Sequence, residues 1–157
     1  MSRSTRTRRT PAPAPADPQP EAGGRLFGAA EAEATLVYLG PVVADVQAAF
    51  RRVTRFRRLL DRASLEEGSA RRRRLADAHQ QQMNTLAVLV DEVHAVGAQL
   101  RDFEAGAVAF PSAQDGVPAG GYLSWIAGEP GVSHAHGPDE PTEARRPLRR
   151  KARRRAA

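Results

Sequence analysis

Cysteine is absent from all 157 residues, which excludes disulfides, thiolate catalysis and cysteine-ligated zinc. Aromatic residues make up only 5% of the chain and Trp125 is the sole tryptophan, so a core has few large side chains to build on. Lysine occurs once against 23 arginines. That bias reads as a compositional preference for Arg and says little about phosphate recognition. No apolar run approaches the ~18 residues that a membrane helix needs. Arg8 and Arg9 are followed by TPAPAPADPQP where a secretory signal carries its apolar stretch. Residues 1–16 contain no acid, as transit peptides do, but their Pro-Ala repeats cannot form the amphipathic helix such a peptide uses. The expectation is a cytoplasmic protein without a membrane segment.

The net charge of +6 hides a partition. Residues 1–25 hold five Arg and two acids, and residues 145–157 hold seven Arg, one Lys and no acid. Residues 26–144 hold eleven Arg against sixteen Asp or Glu. An acidic folded body between basic ends is therefore expected. Pro at 11, 13, 15, 18 and 20 makes residues 1–25 read as a disordered Pro/Ala/Arg-rich arm. Residues 145–157 read as a disordered basic tail, leaving 26–144 as a single domain.

Leu36, Leu39, Val43, Val46, Phe50, Val53 and Leu60 recur at alternating spacings of three and four, interrupted only by Arg57. This is an a/d heptad stripe and predicts a helix over 29–62. Gly40-Pro41 falls inside it, where the missing amide and the ring clash predict a kink or a split. Arg51, Arg55, Arg58 and Arg62 lie on the outer face and read as a solvated basic stripe. Ser64 and Glu67 have capping-box spacing, and Gly68-Ser69 offers a second place to turn. The hairpin connection is thus expected somewhere in 63–69. Leu75, Met83, Leu86, Leu89, Val90, Val93 and Val96 give the second helix an apolar face wider than a coiled-coil seam, which predicts a further body packed against it. Arg71 to Arg74 crowd its first turns, against the helix dipole. Gly97 reads as its stop.

Beyond Gly97 the period falls to two. Short extended pieces are expected around 98–103 and 108–111, then at Tyr122–Ile126 and 132–136, with Gly128-Glu129-Pro130-Gly131 as a turn. The fold class that follows is mainly α with a small β part (α+β). It comprises a long antiparallel helical hairpin over about 29–96, then a small antiparallel sheet of two or three short strands over about 97–137.

Particular residues carry a resemblance. Val96-Gly97, Leu100-Arg101-Asp102, Gly106, Phe110-Pro111, Tyr122-Leu123, Trp125, Gly128-Glu129-Pro130, His136, Asp139 and Arg145-Arg146-Pro147-Leu148 stand in a familiar order. Over about 26–148 the chain resembles an uncharacterised bacterial family catalogued as domain of unknown function 2203. The specific part is Tyr-Leu-x-Trp-x-x-Gly-Glu and Arg-Arg-Pro-Leu. The family pattern has Cys before the Trp, Asp before Phe-Pro and Trp before the His, where this chain has Ser124, Ala109 and Ala135. Pro141-Thr142-Glu143-Ala144 replaces the Gly residues before the Arg pair. The resemblance carries over no catalytic or binding residue.

The remaining chemistry is sparse. His134 and His136 stand two apart on an expected strand and share a face, giving a possible pair of metal ligands with Glu129, Asp139 or Glu140 as thirds. Glu129 is the best lone acid or base, with satisfaction of the turn or pairing with Arg101 as its structural role. Trp125, Gly97, Gly128 and Pro130 read as structural. Arg149, Arg150, Lys151, Arg153, Arg154 and Arg155 make the tail a candidate for salt-dependent, sequence-independent contact with nucleic acid or another anionic surface, without aromatics to stack bases. No cofactor motif is present. The leading expectation is a non-enzymatic helical-hairpin interaction or structural module with an unidentified protein partner, the heptad seam pointing to a homodimer. The alternatives are polyanion binding through the tail and a metal-dependent enzyme using His134 and His136.

Overall fold

The structure is a computed structural model that describes residues 24–63 and 69–149. Helix α1 spans Ala29–Arg62, about 50 Å of axis. Its N-terminus starts from Gly28, whose lack of a side chain leaves the first amides uncapped locally. Gln114, 85 residues away, supplies the missing acceptor: its Oε1 takes the Ala29 amide at 2.7 Å. The Phe27 amide donates to the Pro111 carbonyl, and the Ser112 hydroxyl donates to the Phe27 carbonyl. The Phe27 ring stands edge-on to Phe110 with centroids 5.1 Å apart. The chain is thus pinned to the sheet before the helix begins.

Pro41 does not split α1, which runs through it as one element. Pro41 and Val37 both lie on the exposed face, so water can satisfy the carbonyl that loses its donor. At the far end the helix closes through Arg72 of α2 (Ser69–Ala95), which donates to the carbonyls of Leu60 and Ala63. A cation in the first turn of α2 opposes that helix's own dipole. Here it sits on the negative end of α1, where it is favourable. Gly97 (φ 91°) then turns the chain after α2, its amide donating to His94 at 2.9 Å, and a Cβ there would stand 3.3 Å from the Phe27 ring.

The sheet is a five-strand antiparallel meander: β1 (Gln99–Asp102), β2 (Ala107–Pro111), β3 (Tyr122–Ile126), β4 (His134–His136) and β5 (Arg146–Pro147). Register places Val108 opposite Trp125, Phe110 opposite Leu123, and Leu123 opposite Ala135. Val108, Phe110, Leu123 and Trp125 pack with Leu39, Val42 and Val43 of α1 and Val93 of α2 in one buried core. The wide apolar face of α2 meets its second body here, since Leu89, Val96 and Leu100 pack on the same core. A smaller cluster of Val46, Ala49 and Leu86 continues along the hairpin, closed by Phe50 stacked on Phe103 at 5.6 Å.

The sheet has five strands, not two or three. The extra pairing at Arg146–Pro147 involves two exposed residues with no alternating pattern to announce them. Leu148, just beyond this pairing, also packs on the core. Met83, read as part of the apolar face of α2, is exposed. Most of the expected N-terminal arm, residues 1–23, lies outside the described residues, as do Ser64, Glu67 and the connection itself at 64–68. Among the described residues no helix is long and apolar enough to cross a membrane.

The turn from β1 to β2 is fixed by Asp102, whose Oδ1 accepts the amides of Glu104 and Ala105 at 2.9 and 2.8 Å. Gly106 ends the turn at φ 70°, and a Cβ added there would fall 2.8 Å from the Ala127 Cβ and 2.9 Å from Val43 Cγ1. Gly106→Ala is therefore expected to cost about 2–4 kcal/mol, combining a left-handed backbone with overpacking against α1. A urea denaturation midpoint unchanged from that of the native chain would contradict this packing.

Candidate functional site

The polar residues of the sheet gather on the face turned away from the helices. Gln99 lies opposite Ala109, Ala109 opposite Ser124, Ser124 opposite His134, and Tyr122 opposite His136. The guanidinium of Arg101 sits 4.7 Å above the centre of the Tyr122 ring, and the Tyr122 and His136 rings lie 5.4 Å apart. Tyr122, Ser124 and His136 are all buried here. A chain of π contacts thus runs across three strands, from Arg101 through Tyr122 to His136.

His136 is 1% exposed. Its Nδ1 lies 2.9 Å from the Gly137 carbonyl oxygen; a carbonyl only accepts, so Nδ1 carries a proton and Nε2 is the nitrogen left to face another group. That Nε2 is buried without a hydrogen-bond partner among the described residues. An orienting carbonyl behind a free Nε2 is also the tautomer a metal-ligating histidine adopts. The strand places His134 on the same face, its Nδ1 2.9 Å from the Ser133 hydroxyl. Among the described residues, however, no group of three His, Asp or Glu is gathered closely enough to hold a metal ion.

Glu129, Asp139 and Glu140, the possible third ligands, have other engagements in part. Glu140 accepts the Gly137 amide at 2.7 Å and pairs with Arg146. Glu129 sits in the turn after β3, and both its carboxylate oxygens are taken by the fork of Arg145. The Ile126 amide adds a third hydrogen bond at 2.9 Å. The Glu129 carbonyl meanwhile accepts the Trp125 indole N–H at 3.0 Å. The partner is Arg145, not Arg101: the meander brings residue 145 back beside the turn before entering β5, whereas Arg101 lies over Tyr122. The Arg145 hydrogen bond is the main force holding the Glu129 carboxyl below its usual range; partial burial opposes it, and the Ile126 amide and the charge of Arg145 assist.

Trp125 is a core residue, 6% exposed, and one edge of it borders an open groove between α1 and the turn after β3. The groove encloses about 470 Å³ and is lined by Glu33, Leu36, Val37, Trp125, Glu129, Pro130 and Gly131. Gly128 and Pro130 shape the turn that forms its outer wall. Of the expected tail cations, Arg149 is exposed, and Arg150, Lys151, Arg153, Arg154 and Arg155 lie outside the described residues.

These features define a helical hairpin whose base is covered by an antiparallel meander, with a turn locked by an Arg–Glu fork. The chain belongs to the family described as an uncharacterized conserved protein, DUF2203, whose profile matches residues 25–148. No curated protein and no solved structure matches it. Ala109 and Ser124 are cross-strand partners on the His136 face, and Ala135 lies opposite Leu123. The arginine of the Arg-Arg-Pro-Leu element that grips Glu129 is the residue that sequence reasoning missed. Charge alone does not single it out from Arg101; only the path of the meander does.

A carboxyl with a depressed pKa stabilises the fold above its ordinary value of 4.5, and that stabilisation is lost as the pH falls through the lowered value. Stability should therefore drop from neutral pH toward pH 3 in the native chain and drop less in Glu129→Gln. At pH 7, Arg145→Ala should cost about 1–3 kcal/mol by leaving a half-buried carboxylate unpaired. Urea midpoints measured at both pH values check this; equal acid sensitivity of the native chain and Glu129→Gln would remove the fork as its source.

Proposed function

We propose that this protein is a non-enzymatic interaction module that presents the outer face of α1 and the adjoining groove to a protein partner, a second copy included. The observation that carries this reading is Val37. It is 83% exposed in the N-terminal part of a long helix, next to Tyr38 at 52%. It also forms one wall of a groove floored by Leu36 and Trp125. Large exposed apolar side chains grouped beside a concavity mark contact surfaces more often than isolated ones do. The groups best suited to chemistry beside that groove support the same reading, because Glu129 and Arg145 spend their hydrogen bonds on each other and on the turn.

Val37→Asp should leave the thermal midpoint of the isolated protein within about 2 °C, since an exposed substitution is worth less than about 0.5 kcal/mol. In native cells carrying two differently tagged copies, it should strip the associated proteins that quantitative mass spectrometry detects with the unsubstituted chain. An identical set recovered with both would overturn the reading.

A second reading, sequence-independent binding of nucleic acid through the cations at 149–155, is supported by Arg149, which stands exposed just past the anchored Leu148. Deleting residues 149–157 should abolish binding to a generic labelled duplex and its steep salt dependence. Binding that survives the deletion would contradict a tail mechanism.

A further inference from the structure

The outer face of α1 carries a second heptad row, separate from the row that faces the core. Ala30, Ala34, Val37, Pro41, Ala44 and Ala48 continue at the same alternating spacing into Arg51, Arg55, Arg58 and Arg62. Every member is exposed except half-buried Ala48. The N-terminal half of the row is apolar and the C-terminal half is cationic. The flanks repeat most of the division: Glu31, Glu33 and Asp45 are the charges of the first half, while Arg52 and Arg57 join the second, whose one acid, Asp61, pairs with Arg57 at 3.4 Å. The polarity extends to the whole folded body. Ten of the eleven arginines between 26 and 144 fall at 51–62 and 71–74, toward the tip of the hairpin. Twelve of the sixteen acids fall outside 51–78.

We infer that the occupant of this face is a second copy of the chain, docked through α1 in antiparallel orientation about a twofold axis near residue 46. The inference rests on the interaction-module reading and names its partner. A twofold interface sets each patch against its own counterpart, so an acidic-apolar half can meet a cationic half only if the helices run antiparallel. In that register Ala44 of one copy faces Ala48 of the other, and small side chains let the axes approach to about 8 Å. Val37 faces the aliphatic stem of Arg55, a stem that can cover apolar surface while its head stays solvated. Arg58 and Arg62 reach the level of Glu33 and Glu31. Glu31 is already in a long contact with Arg25 at 3.6 Å, both side chains exposed, and that contact can be exchanged. Parallel pairing would instead stack four arginines on four arginines.

The full chain should sediment as a dimer at low salt and dissociate toward monomer as salt screens the pairing. Glu33→Arg and Arg58→Glu should each weaken the dimer about tenfold or more, and the two together should restore it to within about threefold. Because the chain has no cysteine, Val37→Cys and Arg55→Cys supply single thiols at exposed sites. A short bis-maleimide should link a mixture of the two variants and leave Val37→Cys alone unlinked. Linking of Val37→Cys alone would overturn the antiparallel arrangement. A dimer indifferent to both charge reversals would overturn this face while leaving self-association standing. A monomer at all concentrations would overturn the second copy as occupant, with the Val37→Asp co-purification still deciding the broader reading. A monomer whose binding to labelled duplex is lost in Arg55→Glu would assign the arginine row to a polyanion instead.

Discussion

The structure depends on the packing of one short sheet against the base of a long hairpin. Phe110, Leu123 and Trp125 meet Leu39, Val43 and Val93, and this contact fixes everything near it. Gly106 must lack a side chain because β2 passes so close to Val43. Phe27 must enter over Phe110 before α1 can begin, and Gln114 must cap a helix that Gly28 leaves open. The sheet is too short to cover the rest of α1. Beyond the cluster of Val46, Ala49 and Leu86 the hairpin holds itself together with partly buried residues and surrounds them with arginine.

Turn chemistry completes that packing. Trp125 is large enough to anchor a core with few aromatics, but its indole N–H needs an acceptor once buried. The Glu129 carbonyl supplies one, and the side chain of the same residue ties the Ile126 amide to Arg145. A tryptophan, a turn and the last strand are thereby joined through one glutamate. This explains why a motif at 145–148 belongs with a motif at 122–129: they are two sides of one bracket.

How much of this could be read from the residues depended on whether a periodic pattern announced it. The bounds of α1 follow from its core-facing row, and the second body against α2 follows from the width of its apolar face. β2 and β3 follow from alternation. β5 does not, because Arg146 and Pro147 are exposed and only two residues long. The Glu129–Arg145 fork does not either, since charge alone favoured Arg101 as much as Arg145 and only the path of the meander separates them. His134 and His136 were legible as a pair on one face. The burial of His136, with an orienting carbonyl at Nδ1 and no partner at Nε2 among the described residues, was not, because no local pattern reports what stacks beside a strand.

The heptad row from Leu36 to Leu60 suggested self-association, and the fold redirects that suggestion. Leu39, Val43 and Val46 are consumed inside the chain, so the centre of that row has nothing left to offer a partner. What remains on α1 is the outer row, apolar through Ala48 and cationic from Arg51. A solvated helix face needs neither half of this arrangement. Exposed apolar positions contribute nothing to solubility, and a basic stripe beside an acidic body could have been mixed along the helix at no cost to the fold. Segregation suits the proposed pairing, in which one end of the molecule recognises the other end of its counterpart. A net charge of +6 conceals this twice, first by merging basic termini with an acidic body and again by averaging the body's two oppositely charged ends.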